Sequence, residues 1–265
     1  MTKKILSKAE PPPFKWENAK GKGRGFVICD HASCRVPKSL KNLGMKKKDL
    51  QKHIGWDIGI ADAGRHIAKA LDMPVLLASY SRLVVDLNRA PTHRECMAET
   101  SDHIPVPANR KLSAAQKKQR LDEIFWPYQK QIGLQTAKML KKSGVPLLLA
   151  IHSFTPVMDG EKRPWDIGIL FNHEKKIART LAREFGRRYP QYNVGLNAPY
   201  TLKDERFKGS TIWRWGEQKG IPYVFVEFRQ DLIDTPKKAR VWAKMLLTCL
   251  EPVMKDPATF RRRKR

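Results

Sequence analysis

The chain alternates between short, almost wholly apolar runs and longer stretches in which apolar residues recur every three or four positions. The runs cover residues 25–29, 74–78, 83–87, 145–151, 166–171 and 223–228, and their length and β-branched content suit buried strands. Helical periodicity covers 57–71, 113–142 in two pieces broken at Pro127, 174–189, 211–219 and 236–250. Strands alternating with helices predict an α/β fold, a three-layer sandwich around a mixed, largely parallel sheet. Before Gly25, the run Pro11-Pro12-Pro13 and then Gly21 and Gly23 break any periodicity, so regular structure is expected to begin near Gly25. The expected organisation is a mobile basic lead-in over 1–24, one α/β domain over 25–253 and a basic tail over 254–265.

Composition adds a bias in charge. With 41% hydrophobic residues, 265 residues can bury a sizeable core, which excludes a disordered basic chain. Fifty-two Lys and Arg stand against 26 Asp and Glu, a formal net charge of +26, and such a field attracts anions of any chemistry. Residues 1–25 hold seven basic and two acidic side chains, and the last six residues hold five more basic ones. No zinc-finger spacing and no aromatic RNA-binding strand accompanies them. Specific nucleic-acid recognition is therefore not expected, whereas nonspecific polyanion binding at low salt is. Cys29, Cys34, Cys96 and Cys249 form no C-x-x-C pair. The N-terminal stretch has no apolar segment of the secretory kind, and no apolar run approaches the roughly 20 residues of a membrane span. A soluble, reduced, cytoplasmic protein is the expectation.

Sheets of this class bind ligands beyond the carboxyl ends of their strands, so the residues that close each apolar run matter most. They are Asp30-His31-Ala32-Ser33, Asn88-Arg89 and His152-Ser153, together with Glu227 inside the last run. Singly, His31 or His152 reads as an ordinary hydrogen-bonded histidine; together, beside an acid, they match the three-ligand pattern that leaves zinc an open position. Asp57 is either the third ligand or the N-cap of the helix it begins. Cys34 with His31 as its base is a rival nucleophile pair. Glu227, in an apolar run, needs a cation or a proton, and is either a general base or half of a structural ion pair. Alternation puts Arg82, Asp86 and Asn88 on one side of their predicted strand. Arg89 at its end offers a fork for a carboxylate, although the same strand could be a surface salt-bridge ladder.

In order along the chain stand Cys29-Asp30-His31-Ala32-Ser33 followed by Arg35-Val36-Pro37, Trp56-Asp57-Ile58-Gly59, Ser81-Arg82-Leu83-Val84-Val85-Asp86-Leu87-Asn88-Arg89, Ile151-His152-Ser153-Phe154, Lys208-Gly209-Ser210-Thr211 and Val226-Glu227-Phe228-Arg229-Gln230. Over about residues 25–250 this series resembles the N-formylglutamate amidohydrolases, which are similar in fold to zinc carboxypeptidases and aspartoacylases. The resemblance implies a zinc carboxypeptidase-like fold with one zinc ion on His31 and His152. It also implies Glu227 as the base toward water, Asn88 and Arg89 as the grip on the substrate α-carboxylate, and Arg82 as the group polarising the scissile carbonyl. In the carboxypeptidases a glutamate stands three residues after the first histidine; here Cys34 does, and Asp57 is taken as the third ligand. The implied reaction is hydrolysis of the formyl, or similarly small acyl, amide of an N-acyl acidic amino acid. N-formylglutamate would give formate and glutamate, as in histidine degradation. A second substrate carboxylate would need a second cation, for which Lys208 or Arg214 is available. The alternative is a non-catalytic basic protein that binds polyanions such as nucleic acid. Glu227 with His31 and His152 discriminates, since polyanion binding needs none of them.

Overall fold

A computed structural model describes residues 4–263. Among them, seven strands form the central sheet: β1 Phe14–Glu17, β2 Gly25–Cys29, β3 Val75–Ala78, β4 Leu147–Phe154, β5 Ile167–Leu170, β6 Val194–Leu196 and β7 Tyr223–Arg229. Their spatial order is β1-β3-β2-β4-β7-β5-β6. The pairs β3/β2, β2/β4, β4/β7 and β5/β6 are parallel, whereas β1/β3 and β7/β5 are antiparallel. The sheet is thus mixed and largely parallel, as predicted.

Alternation along the strands makes two cores. Val27, Leu149, Ile151, Val226 and Phe228 pack on one side against the helices α1 Ile60–Ala70, α4 Lys175–Arg188 and α5 Pro236–Lys255. On α1 the buried positions Ile60, Ala63, Gly64, Ile67 and Ala68 follow the helical spacing of a single apolar stripe. Phe26, Ile28, Leu148, Ala150 and Phe225 face the other side, where α3 Trp126–Lys142 and the long segment after β3 cover them. α3 continues α2 Ala114–Arg120 through a π turn over Leu121–Phe125. Pro127 lacks an N–H, so the helical register shifts just before it rather than breaking.

Three expectations are corrected. Residues 83–87 are not a strand but a fully buried turn. Regular structure begins before Gly25, with β1 as the sheet's edge and Ile5 buried, and residues 1–3 of the expected lead-in lie outside the described residues. At the other end Pro257–Phe260 forms a 3-10 turn with Phe260 in the core, so this part of the basic tail is docked. Among the described residues no helix is long and apolar enough to cross a membrane, and all four cysteines are free.

Candidate active site

His152 on β4 and Glu227 on β7 are Cα partners in the parallel register, and Gly168 of β5 faces Glu227 from the other side. A side chain at Gly168 would stand 2.2 Å from the Ala198 carbonyl oxygen, so only glycine lets the loop after β6 lie this close to the sheet. His31 follows β2, whose neighbour is β4. Its carbonyl accepts a 3.0 Å hydrogen bond from Asp57 N, which ties the entry to α1 to the same sheet edge. The N-cap of α1 is Gly59, at φ +83°, and not Asp57. Released from capping, the Asp57 carboxylate turns inward: Oδ2 lies 3.2 Å from His31 Nδ1 and 2.9 Å from His152 Nδ1, and Oδ1 accepts from Arg82 at 3.2 Å.

The far nitrogens of both imidazoles also meet acids. His31 Nε2 lies 2.7 Å from Asp86 Oδ1, and His152 Nε2 lies 3.6 Å from Asp30 Oδ2. Arg82 forks onto Asp86 Oδ2 through Nε and Nη2 at 3.2 and 2.8 Å. With both ring nitrogens of His31 facing carboxylates, neither is left to activate Cys34. Asp30, Asp57, Asp86 and Glu227 are all buried, and Arg82, Arg89 and the two histidines are bases that act on them. Burial opposes charge on His152, but Asp30 and Asp57 outweigh it and raise its pKa to about 10. His31 is raised likewise, against burial and Arg82, by Asp86 and Asp57. Asp57 is held well below the carboxylate range, because the two histidines overcome its burial. Glu227 moves the other way. Burial lifts it to about 7, helped by Asp57 and opposed by His152 and Arg82, and no hydrogen bond or ion pair engages its carboxylate among the described residues.

This donor set fits a divalent cation. Two imidazole nitrogens and a carboxylate oxygen, all buried, lie within 4.8 Å of one another. Three ligands of this kind suit a catalytic zinc. Carboxylates behind metal-binding histidines fix the ring orientation and raise ligand basicity, and Asp86 and Asp30 occupy those places.

A cavity of about 390 Å³ opens above the cluster, lined by Asp57, Arg82, Asp86, Arg89, Arg163, Tyr200 and Arg206 among others. At its mouth two small hairpins meet through His103 and Asp159, 3.0 Å apart. Arg89 reaches the cavity from the buried turn, steadied by Glu95 and the Asn88 carbonyl. Asn88 does not line it; its Oδ1 accepts from Thr211 N and braces that turn. Lys208 and Arg214 lie outside as well. Lys208 is exposed and paired with Glu205 at 2.6 Å, and Arg214 lies over Phe125 and Trp126 in a separate groove.

The sequence matches the family model of N-formylglutamate amidohydrolases over residues 25–234. The chain belongs to that family. Among solved structures, a gene product of Agrobacterium tumefaciens is 25% identical with a TM-score of 0.89, over 95% of this chain and 100% of its own. An N-formylglutamate amidohydrolase from Ralstonia eutropha is 17% identical with a TM-score of 0.69, over 91% and 97%, and shares the fold. No curated protein matches the chain. Membership of the amidohydrolase family makes sense of the collected acids and histidines. Asp30 stood in a strand-end motif without a role of its own, whereas Arg163 and Arg206 had no signal to lift them out, because an arginine lining a cavity looks like any other among 52 basic side chains, and Tyr200 lies outside every motif.

Proposed function

We propose that the protein is a metal-dependent amidohydrolase that cleaves the formyl amide of an N-acyl acidic amino acid, N-formylglutamate being the favoured substrate. The observation that carries this reading is the convergence of buried His31, Asp57 and His152, with Glu227 the strand partner of His152 and Asp57 opening onto an arginine-lined cavity. Zinc held by His31, His152 and Asp57 would supply a Lewis acid and make water acidic enough to lose a proton near neutrality.

The chain's own groups divide the remaining work. Glu227, with a pKa near 7, is suited to take the proton of the attacking water and return it to the departing nitrogen. Arg82 keeps Asp57 and Asp86 in place and presents positive charge to the cavity, where a carbonyl oxygen gains charge as it is attacked. Arg89 is steadied through Nε and Nη1, leaving Nη2 for the α-carboxylate.

Metal analysis combined with formate release tests the reading. Purified protein should carry close to one equivalent of zinc and release formate from N-formyl-L-glutamate. Glu227→Gln should keep its metal yet lose about 10²- to 10⁴-fold in kcat, the usual worth of a general base. His31→Ala and His152→Ala should lose the metal. Folded histidine variants with full metal, or near-normal turnover in Glu227→Gln, would overturn the assignment.

A further inference from the structure

Four guanidinium groups line the cavity, and they differ in how far their charge is already answered. Arg82 holds Asp57 and Asp86. Arg206 forks onto Asp204 at 3.0 and 2.8 Å, and Arg89 meets Glu95 through Nε alone at 3.2 Å. Arg163 has no acidic partner among the described residues. Its Nη1 donates to the Tyr200 hydroxyl at 2.9 Å, and its guanidinium lies over the Tyr200 ring, 4.9 Å from the centroid.

We propose that Arg163, positioned by Tyr200, is the specificity determinant that receives a carboxylate in the substrate's side chain. This rests on the amide-hydrolysis reading above and deepens it. Both groups are fixed in place. Arg163 N donates to the Pro156 carbonyl at 2.8 Å and so closes the base of the hairpin over 157–162, while Tyr200 follows directly on the loop that Gly168 admits to the sheet. The Tyr200 oxygen accepts from Arg163, which leaves the hydroxyl proton free to donate. Burial and the nearby Glu227 keep that proton on. An N–H and an O–H donor thus stand side by side, and a carboxylate can accept from both while cancelling an otherwise unanswered charge. Arg89 takes the α-carboxylate and Arg163 the second one, so the cavity selects N-acyl dicarboxylic amino acids over neutral ones.

The test compares N-formyl-L-glutamate with N-formyl-L-glutamine, which has the same shape and an uncharged side chain, in wild type, Arg163→Met, Arg163→Lys and Tyr200→Phe. In Arg163→Met, kcat/KM for the glutamate substrate should fall about 10- to 100-fold, the value of a charge-assisted hydrogen bond. The glutamine substrate should change by less than about threefold, since it has no such bond to lose. Arg163→Lys should recover part of the preference, and Tyr200→Phe should weaken it while leaving the cation. Equal losses on both substrates, or an unchanged ratio, would overturn the proposal. A second readout needs no turnover: glutarate should bind better than butyrate by isothermal titration, and Arg163→Met should erase the difference. If no N-formyl amino acid is hydrolysed yet glutarate binding depends on Arg163, the hydrolysis reading falls and the dicarboxylate site stands. If hydrolysis is normal and glutarate binds no better than butyrate, the dicarboxylate site alone falls.

Discussion

A carboxylate directly across a parallel strand pair from a histidine, both buried, is a costly arrangement unless something else shares the charge. Glu227 was legible in the sequence for that reason: an acid in the run 223–228 violates the pattern around it. Asp57 was only half legible, because an acid ahead of a helical stretch is so often a cap; Gly59 in the left-handed conformation removes that role. The acids around His31 and His152 raise both imidazoles, His152 to about 10, so without metal His152 carries a proton at pH 7. A metal needs them neutral. Zinc uptake at pH 7 should therefore release at least about one proton, that of His152, and affinity should climb as pH rises toward the His152 value. Titrations in two buffers of different ionisation enthalpy count these protons. Uptake with no proton release would mean that the histidines are already neutral and that the surrounding acids are not acting on them.

At the scale of elements, the helices, β2 to β5 and β7 followed from periodicity because each answers its backbone hydrogen bonds locally or with a regular neighbour. The segment 83–87 shows where that inference ends. Its apolar residues are as buried as any strand's, but its carbonyls are answered by side chains distant in sequence. Leu83 O accepts from Asn109, Val84 O from Arg120 at 2.9 Å, and Leu87 O from Gln129 and Thr211. No local pattern encodes such partners. This buried turn carries Asp86 and Arg89 to the cavity, so its bracing fixes where they stand. Arg120 is the key brace: it is buried without an acid, which lowers its pKa to about 10, and it also donates to Asn109 at 2.6 Å. Arg120→Met should leave buried acceptors unanswered and cost about 2–4 kcal/mol, a drop of several degrees in Tm for a chain of this size. KM for the N-formyl substrate should rise with it, as Arg89 loses its footing. An unchanged melting temperature would show that the turn holds itself.

For the whole molecule, the charge of +26 cannot be assigned to loose ends. Lys15 sits in β1, and at the other terminus Arg263 N donates to the Gly220 carbonyl and its guanidinium to Glu217. Positive charge near both ends is therefore held on ordered chain, and the cavity itself holds four arginines. The field of such charge raises the local concentration of anions, and its reach shrinks from about 10 Å at 0.1 M salt to about 3 Å at 1 M. Short contacts inside the cavity are screened far less. The two contributions can be separated by salt. Between about 0.02 and 0.5 M salt, kcat/KM should fall more steeply for N-formylglutamate than for N-formylglutamine, which carries one charge fewer. A residual preference for glutamate should persist at the highest salt, where only the contacts remain, and it should vanish in Arg163→Met. Parallel salt slopes for the two substrates would mean that the field of the basic surface does not act on the site. That result would leave the excess charge serving contacts elsewhere on the molecule, the part of the polyanion-binding alternative that the acids and histidines of the site do not address.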